Sequence, residues 1–376
     1  MTYSTDYGAR WNLPSPTLEP KAAGFLWNRH MQVEASCRGL GAKQFKAPEM
    51  SMHNRRLGQS VVGDEQIGSF VYIRDEQNGE LYSAPYEPVR RHPEMFNFSV
   101  GQHDITWDAC FDGIDIRIQL SLAADEPLEL WSITIANRSP RQRTLSVYPY
   151  FSMSQISNTY QCAEYRPDLE GIVAKSISSA PNHNPVKHTH FVLHERTPSA
   201  WQVQREAFAG EGGLHNPDAL QHDELPCDDA RQEAPVAVLQ YRATLAPGAS
   251  ETYRLLAGSA ENKREIHALR ERYLSAAGFA RAQVEYKNYL AGAEGIAQID
   301  TPDETINHFV NHWLPRQMFY CADTQRLTEN PATDDYLQDQ LGMIYLDSEC
   351  ARAKFMAALS QQQSGGAMPE TIGNES

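Results

Sequence analysis

The sequence predicts a multidomain β + α chain in which a large antiparallel β-sandwich is followed by a helical linker and the start of a helical domain. Three observations support this. Short segments of alternating apolar and polar residues, joined by turn residues, fill the chain up to residue 258. After Gly258 the apolar residues recur at helical spacing. Residues 301–376 have room for roughly two or three helices, too few to cover their own apolar faces.

The strand prediction rests first on hairpins. Residues 105–111 and 114–122 flank Asp-Gly at 112–113, and the second segment alternates without an error, which indicates one buried face. Asn-Gly at 78–79 marks another hairpin, because both dipeptides favour tight turns between antiparallel strands. The same alternation returns further along the chain, at residues 128–136, 144–148, 236–245 and 252–256.

Helices are predicted in three stretches. Residues 261–290 contain no proline and form either one long helix or two short ones. A second stretch begins near Pro302, with Asp303 and Glu304 in its first turn, where negative charge is favourable. The third runs from about residue 336 to residue 362.

Composition limits the partners and the compartment. With 33 Lys and Arg against 48 Asp and Glu, the net charge is −15, which opposes binding to nucleic acid or an anionic membrane surface. No apolar run is long enough to span a bilayer, and the N-terminus lacks the apolar core of a signal peptide. The six cysteines are scattered without pairs, as expected for reduced thiols. We expect a cytoplasmic protein.

Two groups of histidines have spacings that a metal site can use. His188, His190 and His194 lie in a strand-rich region, and His308 and His312 stand one helical turn apart. The first group has no further ligand at a suitable spacing, and the second lacks the internal glutamate of an HExxH site. Polar strand and helix faces explain both groups better, so we expect no metal site.

Polar side chains concentrate where the third helical stretch begins: Asp334, Asp335, Tyr336, Gln338 and Asp339. Acidic residues at a helix N-terminus are common surface features, and that is the simpler interpretation. The alternative is a sugar site, since carboxylates and carboxamides each make two hydrogen bonds to hexose hydroxyls beside an aromatic ring. Aromatic residues near this cluster in sequence are Trp313, Phe319, Tyr320 and Tyr336.

Four motifs occur in the order found in one enzyme family. Residues 70–89 contain FVYIRD, YSAP and PV, similar to the family hairpin YIRD…G…WSP…PV. Residues 205–220 contain REAFAG, NP and AL, similar to its REAF-G-G…NP-AL loop. WLPRQ at 313–317 stands where the family has WL-YQ, and LQD at 337–339 matches the end of its RDQLQD segment. The chain therefore resembles the cellobiose and chitobiose phosphorylase group of inverting glycoside phosphorylases, including the homologous part of cyclic β-1,2-glucan synthases.

The resemblance implies an architecture and a reaction. It implies a carbohydrate-binding-like sandwich over residues 1–258, a helical linker over 259–300, and the truncated start of an (α/α)6 catalytic barrel over 301–376, commonly in a homodimer. The implied reaction cleaves a β-linked glucosyl disaccharide or oligosaccharide with inorganic phosphate and inversion, giving an α-sugar 1-phosphate without a cofactor. In such a reaction a general acid protonates the leaving oxygen while phosphate attacks from the opposite face.

The resemblance also implies site residues. Gln338 and Asp339 correspond to donor-sugar contacts, with Asp335 and Tyr336 beside them as further substrate-binding candidates. Asp334 stands where the family has arginine, and Tyr336 where it has glutamine, so contacts at those two positions differ from the family pattern. The family's general acid belongs to a later DWND segment, which this sequence lacks, so no catalytic residue is assigned.

Two functions from different classes follow. In the first, the chain is the N-terminal portion of a glycoside phosphorylase and is inactive alone. In the second, it is a non-catalytic module whose sandwich binds carbohydrate or holds a dimer together. The missing general-acid segment favours the second for these residues by themselves, whereas the order of the four motifs favours the first.

Overall fold

The computed structural model describes residues 10–45, 55–57, 68–153, 161–176, 189–231, 233–293, 298–325 and 330–373. Within these ranges all strands lie before residue 261, and the helices of 11 residues or more all follow it. None of the helices in these ranges is long and apolar enough to cross a membrane.

The strands are β1 Trp11–Leu13, β2 Ala23–Trp27, β3 Met31–Ser36, β4 Gly41–Phe45, β5 Arg55–Leu57, β6 Ser69–Asp75, β7 Leu81–Ala84, β8 Met95–Val100, β9 Ile105–Phe111, β10 Ile114–Leu122, β11 Leu128–Asn137, β12 Arg143–Ser152, β13 Gln161–Arg166, β14 Gly171–Ser176, β15 Thr189–His194, β16 Ala200–Gln204, β17 Ala230–Arg231, β18 Pro235–Leu245 and β19 Ser250–Ala260. The helices are α1 Arg205–Ala209, α2 Lys263–Tyr273, α3 Ala276–Leu290, α4 Glu304–His308, α5 Leu314–Thr324, α6 Thr333–Met343 and α7 Ser348–Ser360. The other helical segments are the 3₁₀ turns Asp218–Gln221 and Ala291–Ala293 and the π-helical turn Phe309–Trp313 between α4 and α5.

In the described ranges these strands form three antiparallel sheets. The largest has ten strands in the order β1-β8-β9-β10-β11-β19-β15-β14-β13-β17. A second has five, in the order β16-β18-β12-β6-β7, and a third has four, β2 to β5 in sequence. The large antiparallel β-sandwich that the sequence predicts is confirmed.

Both predicted hairpins are present. β9 and β10 pair across Asp112 and Gly113, which have φ angles of 48° and 72°. Positive φ at both central residues is the geometry that makes Asp-Gly suitable for a two-residue turn. β6 and β7 pair across the Asn-Gly turn, where Gly79 has a φ of 73°.

Two other predicted turns carry the chain from one sheet to another. β11 belongs to the ten-stranded sheet and β12 to the five-stranded sheet, with the change at residues 138–142. β18 and β19 are divided in the same way around residues 246–249. A turn between two alternating segments fits a hairpin or a crossing equally well, because alternation shows which face is buried and not which strand is the neighbour.

Aromatic rings fill the space between the two larger sheets. Trp131 of β11 meets Phe151 of β12 edge to face, with ring centroids 5.4 Å apart. Tyr82 of β7 stacks on Phe111 of β9 at 4.7 Å. Such contacts add to the burial of apolar area that drives the two layers together.

The four-stranded sheet packs against the β8–β10 side of the large sheet. The Trp107 indole N–H donates to the Ser36 carbonyl at 3.0 Å, which ties β9 to β3. Gly24 of β2 lies so close to β8 that an added Cβ would come within 2.7 Å of Val100. This close approach explains why β2 carries glycine at that position.

Helices α2 and α3 cover the outer face of the ten-stranded sheet. Ile266, Leu269 and Phe279 form a buried cluster with sheet residues such as Phe191 and Leu256. The structure has two helices here rather than one. The Asn262 side chain caps α2 and the Ser275 side chain caps α3, each accepting a hydrogen bond from a first-turn backbone N–H.

The loop after β16 covers the outer face of the five-stranded sheet, and the first family motif holds it there. The Tyr72 hydroxyl donates to the Leu214 carbonyl at 2.8 Å. The Arg74 guanidinium donates to the carbonyls of Leu220 and His222 at 2.7 and 2.9 Å. Two motifs that are far apart in sequence are therefore one structural unit, in which the YIRD strand binds the REAF loop.

The last predicted helix is two helices in the structure. The sequence predicts a single helix over residues 336–362, but the structure has α6 and α7 with a turn between them. Asp347 accepts a hydrogen bond from the Cys350 N–H at 2.9 Å, so it is an N-cap that starts a new helix. Apolar periodicity continues across this turn, which is why the pattern alone does not show it.

Candidate functional site on the helical segment

The polar cluster predicted as a substrate site lies mainly on one side of α6. Asp335, Gln338 and Asp339 are spaced three and four residues apart, so their side chains share a face. Gln338 is exposed, and the two carboxylates are half-buried. Gly342 lies on the same side, and an added Cβ there would come 3.0 Å from Met318 of α5. The polar face therefore borders α5.

Tyr336 is on the other side of α6. Its ring is buried in a small cluster with Ala358 of α7 and Ile372, and burial raises the pKa of its hydroxyl. Thr333, Tyr336 and Gln340 form the buried stripe of the helix. The structure thus separates the aromatic candidate from the three polar ones.

The other aromatic residues near the cluster in sequence face the sandwich. Tyr320 packs edge to face on Phe25 and Trp27 of β2, with ring centroids 5.6 and 5.3 Å apart. Phe319 contacts Tyr289 of α3. These rings hold α5 against the strands and the linker.

The end of the described chain returns to the start of α6. The Thr333 N–H donates to the Glu370 carbonyl at 3.0 Å, and the Ile372 N–H donates to the Pro331 carbonyl at 2.9 Å. The backbone at residues 369–372 therefore lies against the N-terminus of α6, whereas the glycine-containing turn at 363–367 bonds to the end of α7. This arrangement places α6, α7 and the last segment in one compact unit.

The histidine groups do not form a metal site in the part of the chain that the structure describes, where no three His, Cys, Asp or Glu side chains are placed to hold an ion. His188 lies outside the described residues. His190 is buried beside Phe45, with ring centroids 5.5 Å apart. His194 stacks on Tyr165 and its Nε2 is 2.9 Å from the tyrosine hydroxyl oxygen.

Burial lowers the pKa of His194 to about 4. An unfolded histidine titrates near about 6.5, so the unfolded chain binds the extra proton first as pH falls. The neutral His194 therefore makes its full contribution to the free energy of unfolding above about pH 6.5. Between that pH and pH 4 the free energy of unfolding declines by up to about 1.4 kcal/mol per pH unit. Urea unfolding of His194→Gln at several pH values should show a shallower fall than the original chain.

The exposed His215 provides the control for this pH effect. His215→Gln should keep the pH slope of the original chain. Equal slopes in the His194 variant and the original chain would contradict the buried, neutral state of His194.

A second feature was not apparent in the sequence. A cleft of about 410 Å³ opens between strands β1, β2 and β8 and the helical turns from α4 to α5. Arg316 of α5 lines it and is 4% exposed. Burial lowers the pKa of Arg316 to about 10. Arg316 lies in the WLPRQ motif where the family has tyrosine, and that departure was the available signal.

The fold gives the class of protein first. Along 95% of this chain, the structure matches half of a solved protein described as "Putative kojibiose phosphorylase from human microbiome", with a TM-score of 0.58 and 11% identity. At that identity the match concerns the fold alone, a sandwich followed by helices.

Sequence comparison gives the family. The model of the glycosyl hydrolase 94 supersandwich domain matches residues 13–276, so the chain belongs to glycosyl hydrolase family 94. It is 40% identical to the cellobionic acid phosphorylase of Neurospora crassa, over 98% of this chain and 48% of that protein. It is 25% identical to a 3-O-β-D-glucopyranosyl-β-D-glucuronide phosphorylase of Paenibacillus borealis, over the same shares. The chain spans about half the length of these relatives, which are glycoside phosphorylases, and the predicted resemblance is confirmed.

Proposed function

We propose that this chain is the N-terminal half of an inverting phosphorylase that cleaves the β-glucosyl bond of an acidic disaccharide of the cellobionic acid type. The 40% identity to the Neurospora crassa cellobionic acid phosphorylase carries this proposal. The co-substrate is inorganic phosphate, and no cofactor takes part. The products are α-glucose 1-phosphate and the free sugar acid.

The chemistry balances without a redox partner. A phosphate oxygen bonds to C1 as the glycosidic C–O bond breaks, and the leaving oxygen takes a proton from a general acid. Attack from the face opposite the leaving group converts the β-linkage into an α-phosphate. The family resemblance locates the acid in a segment outside this sequence, so the chain contributes donor-sugar contacts and the sandwich.

The helices α4 to α7 are proposed as the first helices of an (α/α)6 barrel. Away from the Arg316 cleft they expose many large apolar side chains: Ile306, Leu341, Ile344, Tyr345, Phe355, Met356 and Leu359. An exposed apolar surface of this extent is unusual for an isolated domain and is expected to pack against further helices. The remaining half of the proposed enzyme supplies them. The homodimer and the cytoplasmic location remain predictions.

Asp339 tests the proposal most directly. A chimaera joins this chain to the remaining part of the Neurospora crassa enzyme, and its phosphorolysis of cellobionic acid is followed by release of glucose 1-phosphate. Asp339→Asn removes a charged acceptor for sugar hydroxyls, an interaction of about 1.5–3 kcal/mol, so kcat/KM should fall by about 10- to 100-fold.

Asp334→Asn is the matched control, since this neighbouring carboxylate is exposed at the start of the same helix. It should leave kcat/KM within about threefold. A chimaera that folds but releases no sugar 1-phosphate would count against the proposed function. An active chimaera with wild-type kinetics in Asp339→Asn would remove Asp339 from the sugar site.

A further inference from the structure

The cleft beside Arg316 has the size and the walls of a small-ligand site. Its volume of about 410 Å³ lies in the range of about 300–1,000 Å³ typical of ligand pockets. Trp11 and Phe25 line it from the strands, and Phe309 and Trp313 line it from the helical turns. The aromatic walls suit the apolar face of a sugar ring, and a few polar groups among them are positioned to set its orientation.

Arg316 is a buried cation without a compensating charge in its described surroundings. Its Nη2 donates to the backbone carbonyls of Phe25 and Gln102 at 2.9 and 3.1 Å, and both acceptors are neutral. Among the described residues, no carboxylate lies within ion-pair distance of the guanidinium, and its Nε has no hydrogen-bond partner. A buried charge is costly unless it is paired, so this arrangement favours an anion from outside the chain.

Aromatic rings hold the guanidinium in place. Its central carbon lies 4.2 Å from the centroid of the Trp27 ring, and 5.2 and 5.6 Å from those of Phe25 and Trp313. The π-systems offset part of the cost of burial, but they do not saturate the donors. Arg316 is therefore kept charged and fixed at the wall of a cleft.

The nearby charges are mostly positive. Arg10, which also lines the cleft, pairs with Asp104 and donates to the Ser99 hydroxyl at 2.8 Å. The pKa of His103 is lowered, first by burial and also by Arg10, Lys287 and Arg316 acting against Asp104. Cations thus converge on this region of a chain whose net charge is −15.

We propose that the cleft binds a monosaccharide-sized sugar acid, with its carboxylate on Arg316 and its apolar face on the aromatic walls. Thr305 and His308, which also line the cleft, supply hydrogen-bonding groups for hydroxyls. A planar guanidinium matches the two oxygens of a carboxylate, which distinguishes this site from one built for a neutral sugar.

This site is distinct from the candidate contacts on α6. The residues that line the cleft come from the strands and from α4 to α5, and none from α6 or α7. The choice of a sugar acid among carboxylates rests on the proposed function, since that reaction releases one. The anion site itself rests on Arg316 and its surroundings.

Binding is measured on the 376-residue chain by ligand-observed NMR and calorimetry with gluconate, glucuronate and glucose. Because a charge-assisted contact is worth about 1.5–3 kcal/mol, the two acids should bind at least about tenfold more tightly than glucose. Arg316→Met should weaken acid binding by at least about tenfold, and Arg316→Lys should recover part of it. Arg264→Met, which removes a charge from exposed α2, should bind as the original chain does.

Each remaining outcome overturns or supports the proposal. Unchanged binding in Arg316→Met overturns it. Equal displacement of gluconate by inorganic phosphate or acetate at the same concentration also overturns it, because the site would then recognise any anion. If Arg316→Met fails to fold, the proposal is tested with Phe309→Ala, which removes an exposed ring from the cleft wall. Weaker binding of gluconate in Phe309→Ala supports the site, and unchanged binding overturns it. An inactive chimaera has no bearing on these binding measurements, so the two proposals fail separately.

Discussion

Asp75→Ala is expected to lower the free energy of unfolding by about 3–5 kcal/mol, because it removes the buried partner of Arg143 and leaves only the half-exposed carboxylate of Asp112 beside this buried charge. Both side chains are about 1% exposed. The Asp75 carboxylate accepts from the Nε of Arg143 at 3.1 Å and makes a second, closer contact with Nη2. Urea unfolding followed by tryptophan fluorescence and circular dichroism at pH 7 measures the difference.

The control follows from the third member of this network. Asp112 contacts the same Nη2 at 3.1 Å, but its side chain is 48% exposed, so Asp112→Ala should cost less than about 1 kcal/mol. The double variant Asp75→Ala/Arg143→Met also removes the buried guanidinium, so it should recover a good part of the unfolding free energy that Asp75→Ala loses. A loss below about 1 kcal/mol in Asp75→Ala would show that Arg143 remains well solvated or paired without it.

This network gives the YIRD motif a physical meaning. Asp75 and Arg143 belong to neighbouring strands β6 and β12 of the five-stranded sheet. Arg143 also donates through Nη1 to the backbone carbonyl of Asp112, in the β9–β10 turn of the other sheet, at 2.7 Å. The pair therefore joins the two layers. The preceding Arg74 points the other way and holds the covering loop, so consecutive residues of the motif act on opposite faces.

The sequence predicted the strands well because their alternation records burial directly. Residues 114–122 alternate between apolar and polar types, and burial along β10 follows the same alternation. The exception is Ser121, a polar residue that is buried at the end of the strand. The sequence could not predict which sheet a strand joins, since β11 and β12 alternate alike and lie in different layers. Long-range pairing such as β11 with β19 depends on packing between segments more than 100 residues apart.

The candidate site was predictable only in part. Helical spacing places Asp335, Gln338 and Asp339 on one face, and the structure has them there. The same spacing does not indicate that Tyr336 packs into a cluster with α7, because that contact depends on a turn that the periodicity hid. Arg316 stands out in the sequence only as a departure from the family's WL-YQ pattern, and that departure does not indicate an anion site, since only the fold brings β2 and β8 against its helix.

The 376 residues alone are expected to release no detectable sugar 1-phosphate from cellobionic acid, cellobiose, laminaribiose, sophorose or chitobiose with phosphate. Loss of a general acid typically costs about 10²- to 10⁴-fold, and the proposed function places both the acid segment and most of the barrel outside these residues. A phosphate-specific assay with host enzymes removed measures the rate, and the chimaera serves as the positive control.

The exposed helices are a second reason to expect an inactive chain, beside the proposed position of the general acid outside these residues. Leu341, Ile344 and Tyr345 are more than half exposed, so the described helices leave open the face that a complete barrel would close around phosphate and the leaving group. Its apolar faces should also make the isolated chain associate, which light scattering detects. Sugar 1-phosphate from the purified chain would mean that a carboxylate within these residues acts as the acid. In that case the half-buried Asp335 and Asp339 of α6 are the first to replace, because they already share one face with Gln338.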